Sequence, residues 1–346
     1  MSHHTRTARR LAASRDPTAI AGLRLAPTGA GSTHHRDAHA AVSTVLAAYL
    51  ELPFWPQLPN RSPSEAMAPQ AGLALQGARW DGRRLHWSGE RVAAPSPALL
   101  PPPDRAAGLH AFLARLTARP PDQRPPFAKG QLIGPVTLNA CIADPPSLTT
   151  LGRWLGALAA AQVSAFDRLG MRPLIVFDEP LLARVGEPAP SSVTWDDALA
   201  ALHTAFTPVK RAGGLAGLHC CASANWTRAL AAEPDIIHFD ATPSGLGRFL
   251  DHREALRAHL ARGGGFGWGV WPTDAAAPPF NLSAGRTALL AAADALADAP
   301  TGVASLLRRS TLSGVCGTAG FTSEREEQLA ANLQALAASL REQFGL

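Results

Sequence analysis

The sequence predicts an α/β protein with a single domain that folds as a (β/α)8 (TIM) barrel. Short apolar runs alternate with long segments of helical periodicity, a pattern typical of repeated βα units and a parallel sheet. The length of 346 residues fits either two ordinary domains or one large barrel with insertions. The eight predicted strands are Arg24–Thr28, Leu52–Pro56, Ala128–Ile133, Pro173–Phe177, Leu215–His219, Ile236–Asp240, Phe266–Val270 and Thr311–Val315.

The segments between the predicted strands carry apolar residues at helical spacing. The last helix is predicted to open at Ser323, with Glu326 three residues later at the spacing of a capping box. Three sets of residues each define the apolar face of a helix: Val42, Val45, Leu46 and Tyr49; Leu109, Phe112, Leu113 and Leu116; and Leu329, Leu333, Leu336, Leu340 and Phe344.

The alternation is interrupted between the second and third predicted strands by an insertion of about residues 58–127. Within it, ARWDGRRLHW predicts a β-hairpin with Asp81-Gly82 at the turn. Residues 1–20 are basic and are expected to form a flexible tail, so that residues 21–346 make the barrel. A doubly wound open sheet is the alternative fold, but no GxGxxG motif follows the first strand and the sequence has no P-loop.

Composition limits the classes of function. Apolar residues make up 46% of the chain and charged residues 17%, enough apolar material for a sizeable core. The formal charge is +5, but no basic stripe with interleaved aromatics occurs, so we expect no nucleic-acid partner. No apolar run approaches the roughly 20 residues that cross a bilayer, and no signal peptide is recognisable, so we expect no membrane partner and a cytoplasmic location. The four cysteines are too few for a disulfide framework and are expected to be free thiols.

Rare and reactive residue types follow the predicted strands. Because the C-terminal ends of barrel strands meet on one rim, this coincidence predicts an active site there. The segments concerned, in chain order, are GAGSTHH, FWPQLPNR, GQLIGPVTL, FDEP, HCC, Asp240, WGVWPTD and Cys316-Gly317.

The stretch GLHCCAS places two of the four cysteines directly after a histidine. Residues two apart on a strand face the same side, so His219 and Cys221 are predicted to point into the barrel mouth and Cys220 towards the helices. Cys316 can add a second thiolate and Asp240 an oxygen. Two sulfurs, one imidazole and one carboxylate suit Zn²⁺ better than Mg²⁺ or Ca²⁺.

Purely structural interpretations compete with these assignments. Cys141 and Cys220 are expected to fill the core, as buried cysteines commonly do. Asp178-Glu179-Pro180 could cap a following helix. His34 and His35 could be ordinary loop histidines.

Five short motifs, taken in order, resemble the catalytic half of cobalamin-independent methionine synthase, within the uroporphyrinogen decarboxylase/methionine synthase superfamily. They span almost the whole chain beyond the basic tail, and the ordered set is more specific than any one motif. The stretches FWPQLPNRSPSEAM and GLHCCAS look like the short, single-barrel relatives of that enzyme. The motifs are GAGS at 29–32, GPVT at 134–137, DEP at 178–180, H-x-C at 219–221 and CG at 316–317.

The resemblance implies a zinc-dependent transferase that moves a methyl or other alkyl group to a substrate thiol. The family has a glutamate at the ligand position that maps to Asp240, a difference of one methylene. Ser32 and Asp178 map to residues that hold the amino-acid substrate. The implied zinc ligands are His219, Cys221, Asp240 and Cys316.

Further roles are assigned around this site. Either Arg61 or a backbone N–H near Ser32 is predicted to hold the substrate's carboxylate, and His35 and Glu179 are predicted to be catalytic. The expected partners are a small, homocysteine-like thiol and a methyl donor, either methyltetrahydrofolate or a methyl-corrinoid protein. Methyltetrahydrofolate is disfavoured, because VWPTDAA lacks the histidine that the synthase carries after its seventh strand and the chain has no room for the synthase's second barrel.

The chemistry expected of such a site is thiol activation. A free thiol has a pKa of about 8.5, and coordination to a cation deprotonates it at neutral pH. Three alternatives stay open: an epoxide–thiol transferase with the same zinc site, a metal-free lyase resembling uroporphyrinogen decarboxylase, and a non-catalytic binding module.

Overall fold

The computed structural model of the chain describes residues 20–89, 100–187, 193–298 and 302–346, so the predicted tail lies outside the described residues except for Ile20. Its strands are β1 (Ala26–Pro27), β2 (Ala78–Trp80), β3 (Leu85–Trp87), β4 (Phe127–Ile133), β5 (Ile142–Ala143), β6 (Arg172–Asp178), β7 (Leu215–Cys220), β8 (Ile236–Asp240), β9 (Gly265–Trp271) and β10 (Ser310–Gly314). Seven of them form one sheet in the order β1-β10-β9-β8-β7-β6-β4, and every pairing in it is parallel. The α/β class predicted from the sequence is therefore confirmed.

The second predicted strand, Leu52–Pro56, is not a strand of this sheet. Residues Leu52–Pro56 form an extended segment in which Phe54 makes an isolated bridge to Lys129, and Gln57 makes another to Ser32. The two prolines of the segment have no amide hydrogen and cannot donate to a continuous ladder. The described chain is thus a curled, parallel seven-stranded sheet, with this segment beside β4.

The first strand is shorter than predicted. Arg24 and Leu25 have positive φ angles of 47° and 59°, outside the extended region, so β1 begins only at Ala26. It pairs with β10, which brings the first strand of the sheet beside the last.

The helices pack on the outer face of the sheet. Val42, Val45 and Leu46 are buried on the predicted face of the first of them. The helices of the described residues are α1 (Ala38–Ala48), α2 (Met67–Gly72), α3 (Ala107–Thr117), α4 (Pro135–Cys141), α5 (Leu148–Arg168), α6 (Trp195–Arg211), α7 (Trp226–Ala229), α8 (Pro243–Leu250), α9 (Arg253–Ala261), α10 (Leu282–Leu296), α11 (Val303–Arg308) and α12 (Ser323–Phe344). None of these described helices has the length and apolar character needed to cross a bilayer.

Two apolar clusters lie on the two faces of the sheet. The larger lies between sheet and helices and includes Cys220, which confirms that this thiol faces the helices. The smaller lies inside the curve and includes Leu174, Val176, Leu215 and Ile236. Because side chains alternate along a strand, the same inner face continues towards the strand ends with polar residues. These buried residues are Lys129, Gln131, Asp178, His219 and His238.

The segment between residues 58 and 127 contains the predicted hairpin. β2 and β3 pair in antiparallel register, which confirms it, and β3 also pairs with β5 in a separate three-stranded sheet. Asp81 stabilises the turn by accepting hydrogen bonds from the amides of Arg83 (2.8 Å) and Arg84 (2.7 Å).

Candidate metal centre and cavity

The site is built on the ends of β6 and β7. Asp178 and His219 are direct neighbours in the register of these strands, and the amide of Glu179 donates to the His219 carbonyl at 2.8 Å. The apolar inner residues Leu174, Val176 and Leu215 lie lower on the same two strands. The change from apolar to ionisable side chains therefore occurs where the strands end, as the barrel-rim argument predicts.

Three of the four predicted zinc ligands come together. Ligand atoms of His219, Cys221 and Cys316 all lie within 4.8 Å of one another, and we call this group the sulfur cluster. His219 is 3% exposed, and its ring stacks on that of His238 at a centroid distance of 4.3 Å. Its Nδ1 is buried and has no hydrogen-bond partner among the described residues. Two sulfurs and an imidazole nitrogen are a donor set that fits Zn²⁺.

The two thiols of the cluster are electrostatically unequal. The hydrogen bond to Cys221, and next the one to His219, lowers the pKa of Cys316, whereas the hydrogen bond to Cys316, together with burial, raises the pKa of Cys221. Cys316 is therefore the thiol that ionises first. By contrast, burial raises the pKa of Cys220 to about 12, so this neighbour stays a neutral thiol within the outer core.

Asp240 does not join the sulfur cluster. One of its carboxylate oxygens accepts hydrogen bonds from the amide of Thr242 at 2.8 Å and from its hydroxyl at 2.6 Å. The carboxylate thus stabilises the turn that leads into α8. This local hydrogen bonding competes with binding of the carboxylate to a more distant partner. Asp240 and Cys221 do line the same small cavity, of about 30 Å³.

A larger cavity of about 280 Å³ opens beside the sulfur cluster. Burial raises the pKa of Asp178 to about 6, although the positive charges of His219 and Lys129 oppose this rise. Ser32 packs so tightly against Gly317 that a Cβ at position 317 would lie 1.8 Å from its hydroxyl oxygen. The cavity is lined by Ala30, Ser32, Gln57, Pro59, Glu65, Ala66, Met67, Asp178, Pro180, His219, Cys221, Cys316 and Gly317.

Arg61, predicted to hold the substrate's carboxylate, does not line this cavity. Its guanidinium pairs with Glu65, a fully buried carboxyl whose pKa burial raises despite the ion pair. Glu65 is the residue of this pair that lines the cavity, and sequence reasoning missed it. The available signal was the i, i+4 spacing of Arg61 and Glu65, which is typical of an ion pair.

Glu179, predicted to be catalytic, lies under the start of α4. Its carboxylate accepts hydrogen bonds from the amides of Val136 and Thr137, both at 2.8 Å, and from the Thr137 hydroxyl at 2.6 Å. A Cβ at Gly134 would lie 2.2 Å from the Glu179 carboxyl carbon, so this close approach requires a glycine. Burial raises the pKa of Glu179 to about 7. The side chain therefore anchors a helix N-terminus and does not line the cavity.

His35, the other predicted catalytic residue, lies outside the cavity as well. Its ring is 4.0 Å from that of His34, and both histidines face Glu326 at the start of α12. The N-cap of α12 is Thr322, whose hydroxyl accepts from the Arg325 amide at 3.4 Å, so the predicted capping box of Ser323 and Glu326 is wrong. Sequence reasoning missed Glu326 as a site residue. The available signal was its charge, because Glu326 lies on the same face of α12 as the apolar residue Leu329.

Comparison with known proteins adds no family. No protein-family model and no curated protein matches the chain. Among solved structures, the fold is similar to fungal beta-1,4-galactanases (16% identity, 62% of this chain, 74% of that chain, TM-score 0.39). It is also similar to the catalytic domain of a Bacillus endo-beta-1,4-mannanase (14% identity, 67% and 70% coverage, TM-score 0.39). A proposed lyase/mutase from Burkholderia cenocepacia matches over 95% of this chain and 87% of its own, at 14% identity and a TM-score of 0.37.

Proposed function

We propose that the chain is a zinc-dependent enzyme that transfers a methyl or other alkyl group to the sulfur of a small thiol. The observation that supports this most is the convergence of His219, Cys221 and Cys316 within 4.8 Å, at the edge of a cavity that Asp178 also lines. A bound Zn²⁺ would supply the positive charge that keeps a substrate thiol deprotonated at neutral pH.

The side chains of the cavity support binding of an amine-bearing thiol. Asp178 has a pKa of about 6 and is an anion at neutral pH, so it can hold the ammonium of a homocysteine-like substrate. His219 is the neighbour of Asp178 in the sheet, and stacking on His238 fixes the orientation of its ring. Since Arg61 is engaged by Glu65, backbone amides near Ser32 are the better partner for a substrate carboxylate.

The size of the cavity constrains the donor. A volume of about 280 Å³ lies just below the roughly 300–1,000 Å³ of drug-sized ligand sites. A small thiol fills it, so the alkyl donor has to approach from the open side. Such an approach suits a methyl-corrinoid protein better than a large free donor such as methyltetrahydrofolate.

The proposal includes closure of the barrel. The segment at 51–57 bridges to Lys129 of β4 through Phe54, and through Gln57 it bridges to Ser32, which follows β1. In this interpretation the segment supplies the one strand that the seven-stranded sheet lacks to close as a (β/α)8 barrel. It also carries Gln57 to the cavity wall.

Metal analysis tests the proposal directly. Purified protein is expected to hold zinc at this centre, so Cys221→Ser is expected to contain one equivalent of zinc less than the parent, whereas the matched Cys220→Ser variant contains as much as the parent. Homocysteine should then bind more tightly as the pH rises towards the free thiol pKa of about 8.5, because binding releases a proton. A zinc content of Cys221→Ser equal to that of the parent, or thiol binding that does not change with pH, would contradict the proposal.

The same experiment separates the alternatives. A metal-free lyase of the uroporphyrinogen decarboxylase kind needs arginines around its substrate, and none of the described residues that line the cavity is an arginine. A folded protein whose zinc content is unaffected by Cys221→Ser would leave that lyase or a binding module. An epoxide–thiol transferase would need the same zinc and is distinguished by supplying an epoxide in place of a methyl donor.

A further inference from the structure

A second group of possible metal ligands lies where the segment after β1 meets the start of α12. Nδ1 of His34 and Nε2 of His35 lie 2.7 Å and 3.5 Å from the same oxygen, Oε2 of Glu326. The three ligand atoms are all within 4.8 Å of one another. The Glu326 side chain is 8% exposed, and those of the histidines are 16% and 15% exposed. This group, the imidazole cluster, is mostly enclosed but keeps one side open to solvent.

The atoms that converge are the atoms that lack hydrogen-bond partners. Nδ1 of His34, Nε2 of His35 and Oε2 of Glu326 are all buried without a hydrogen bond among the described residues. The 2.7 Å approach of His34 to the carboxylate is close, but it does not have hydrogen-bond geometry. A buried polar atom left without a partner destabilises a fold. Three such atoms around one point form a donor set that a cation would satisfy.

The remaining polar atoms of the cluster are already engaged. Nε2 of His34 lies 3.0 Å from the Ser323 hydroxyl, and Oε1 of Glu326 accepts a hydrogen bond from the Thr318 hydroxyl. If the His34 Nε2–H donates to Ser323, the lone pair of Nδ1 is free to bind a metal. Metal-ligating histidines and carboxylates are oriented in this way by outer hydrogen bonds.

We infer that His34, His35 and Glu326 form a second metal site, for a divalent transition metal held by two imidazole nitrogens and one carboxylate oxygen. Two histidines with one glutamate are a known zinc ligand set, and with open positions they also suit other first-row metals. Ligands of a tetrahedral zinc lie about 3.3 Å apart. The His35–Glu326 spacing of 3.5 Å matches this value, whereas the His34–Glu326 spacing of 2.7 Å would open by several tenths of an ångström.

This site would position the wall of the cavity. The hydroxyl of Thr318 donates to Glu326, and the amide of the same residue donates to the Ser32 carbonyl at 2.8 Å. Ser32 lines the cavity beside the sulfur cluster. A metal in the imidazole cluster would therefore fix the chain around Ser32 against the segment that follows Cys316.

The test uses the full chain with the sulfur cluster removed by Cys221→Ser and Cys316→Ser, so that its outcome does not depend on the proposed function. Co²⁺ is the probe, because thiolate ligands give a sulfur-to-cobalt charge-transfer band that nitrogen and oxygen ligands do not give. We expect the double variant to bind one equivalent of Co²⁺ without that band, and Zn²⁺ to compete with it. A folded double variant, judged by circular dichroism, that binds no Co²⁺ would overturn the inference.

Adding Glu326→Gln to the double variant is expected to weaken Co²⁺ binding at least ~10–100-fold, the loss typical even of outer partners of a metal site. The matched control is Glu327→Gln, because Glu327 is the exposed neighbour on the same helix, and it should leave the affinity unchanged. If Glu326→Gln fails to fold, His35→Gln replaces it with the same expected loss. Binding that survives these substitutions would place the metal elsewhere, including on His3 and His4, and would overturn the inference.

Discussion

The sulfur cluster and the imidazole cluster are held in place by different means. His219 belongs to β7, whose ladders to β6 and β8 fix its position, and Cys316 follows the end of β10. His34 and His35 lie on a segment outside any strand, and Glu326 lies in the first turn of α12. A ligand set on strand ends is positioned by the sheet itself, whereas one shared by a segment and a helix depends on contacts such as that of Thr318 with Ser32. The imidazole cluster is therefore expected to be more sensitive than the sulfur cluster to substitutions in its surroundings.

The largest effect is expected from Cys316→Ala. It removes one sulfur from the sulfur cluster, so zinc affinity there should fall by more than the roughly 10–100-fold that loss of an outer partner costs. Homocysteine binding should be lost with the metal, while the imidazole cluster keeps its own equivalent. Metal titration followed by isothermal calorimetry with homocysteine measures both, and equal thiol binding by variant and parent would break the comparison.

Glu326→Ala should destabilise the fold by about 2–3 kcal/mol, since it leaves the Thr318 hydroxyl without its acceptor and removes the carboxylate that His34 and His35 face. Urea unfolding in the presence of a chelator measures the change. Glu327→Ala is the control and should stay within about 0.5 kcal/mol of the parent, because its side chain is exposed. Equal effects of the two substitutions would show that the imidazole cluster does not hold the segment to the helix.

Asp178 is expected to give thiol binding a pH dependence that the imidazole cluster does not. Burial raises the pKa of Asp178 to about 6, so its carboxylate is charged above that pH and takes up a proton below it. Binding of an amine-bearing thiol should weaken as the pH falls through about 6. Asp178→Asn should remove this dependence and weaken binding at pH 7 about tenfold, the equivalent of one charge-assisted hydrogen bond. A parent protein whose affinity is constant between pH 5 and 7 would contradict this role.

The smallest effect is expected from Cys220→Ala, although this residue adjoins Cys221. Its thiol lies in the outer core, so the substitution should cost only packing, about 1 kcal/mol, and leave the metal content unchanged. Thermal unfolding and metal analysis measure the two quantities. Loss of zinc from this variant would mean that strand alternation does not separate the two thiols.

The sequence was informative wherever the sheet controls position. Apolar runs located the seven strands of the main sheet, and alternation placed His219 on the inner face and Cys220 on the outer one. The prediction of a strand at Leu52–Pro56 was wrong because it ignored the effect of two prolines in that short segment. A strand can be found from its sequence because its side-chain period is fixed.

Local hydrogen bonding was harder to predict. The carboxylate of Asp240 turns to Thr242, two residues away, and that of Glu65 pairs with Arg61. Both contacts depend on rotamers and turn geometry that the periodicity of the sequence does not carry. Glu326 matched a capping-box spacing, but the helix is capped one residue earlier, by Thr322. A shift of the N-cap by one residue changes where such a carboxylate points, and helix ends are hard to place to within one residue.

The pairing of β1 with β10 also has a consequence for how the protein is made. The cavity combines Ser32 with Cys316 and Gly317, residues that are far apart in sequence. During synthesis the early strands leave the ribosome long before the partner strand exists, so the cavity cannot form until β10 has emerged. Contacts of such long range are slow to form, and the polar inner face of the sheet stays open until then. The sulfur cluster is therefore completed only as a late step of folding.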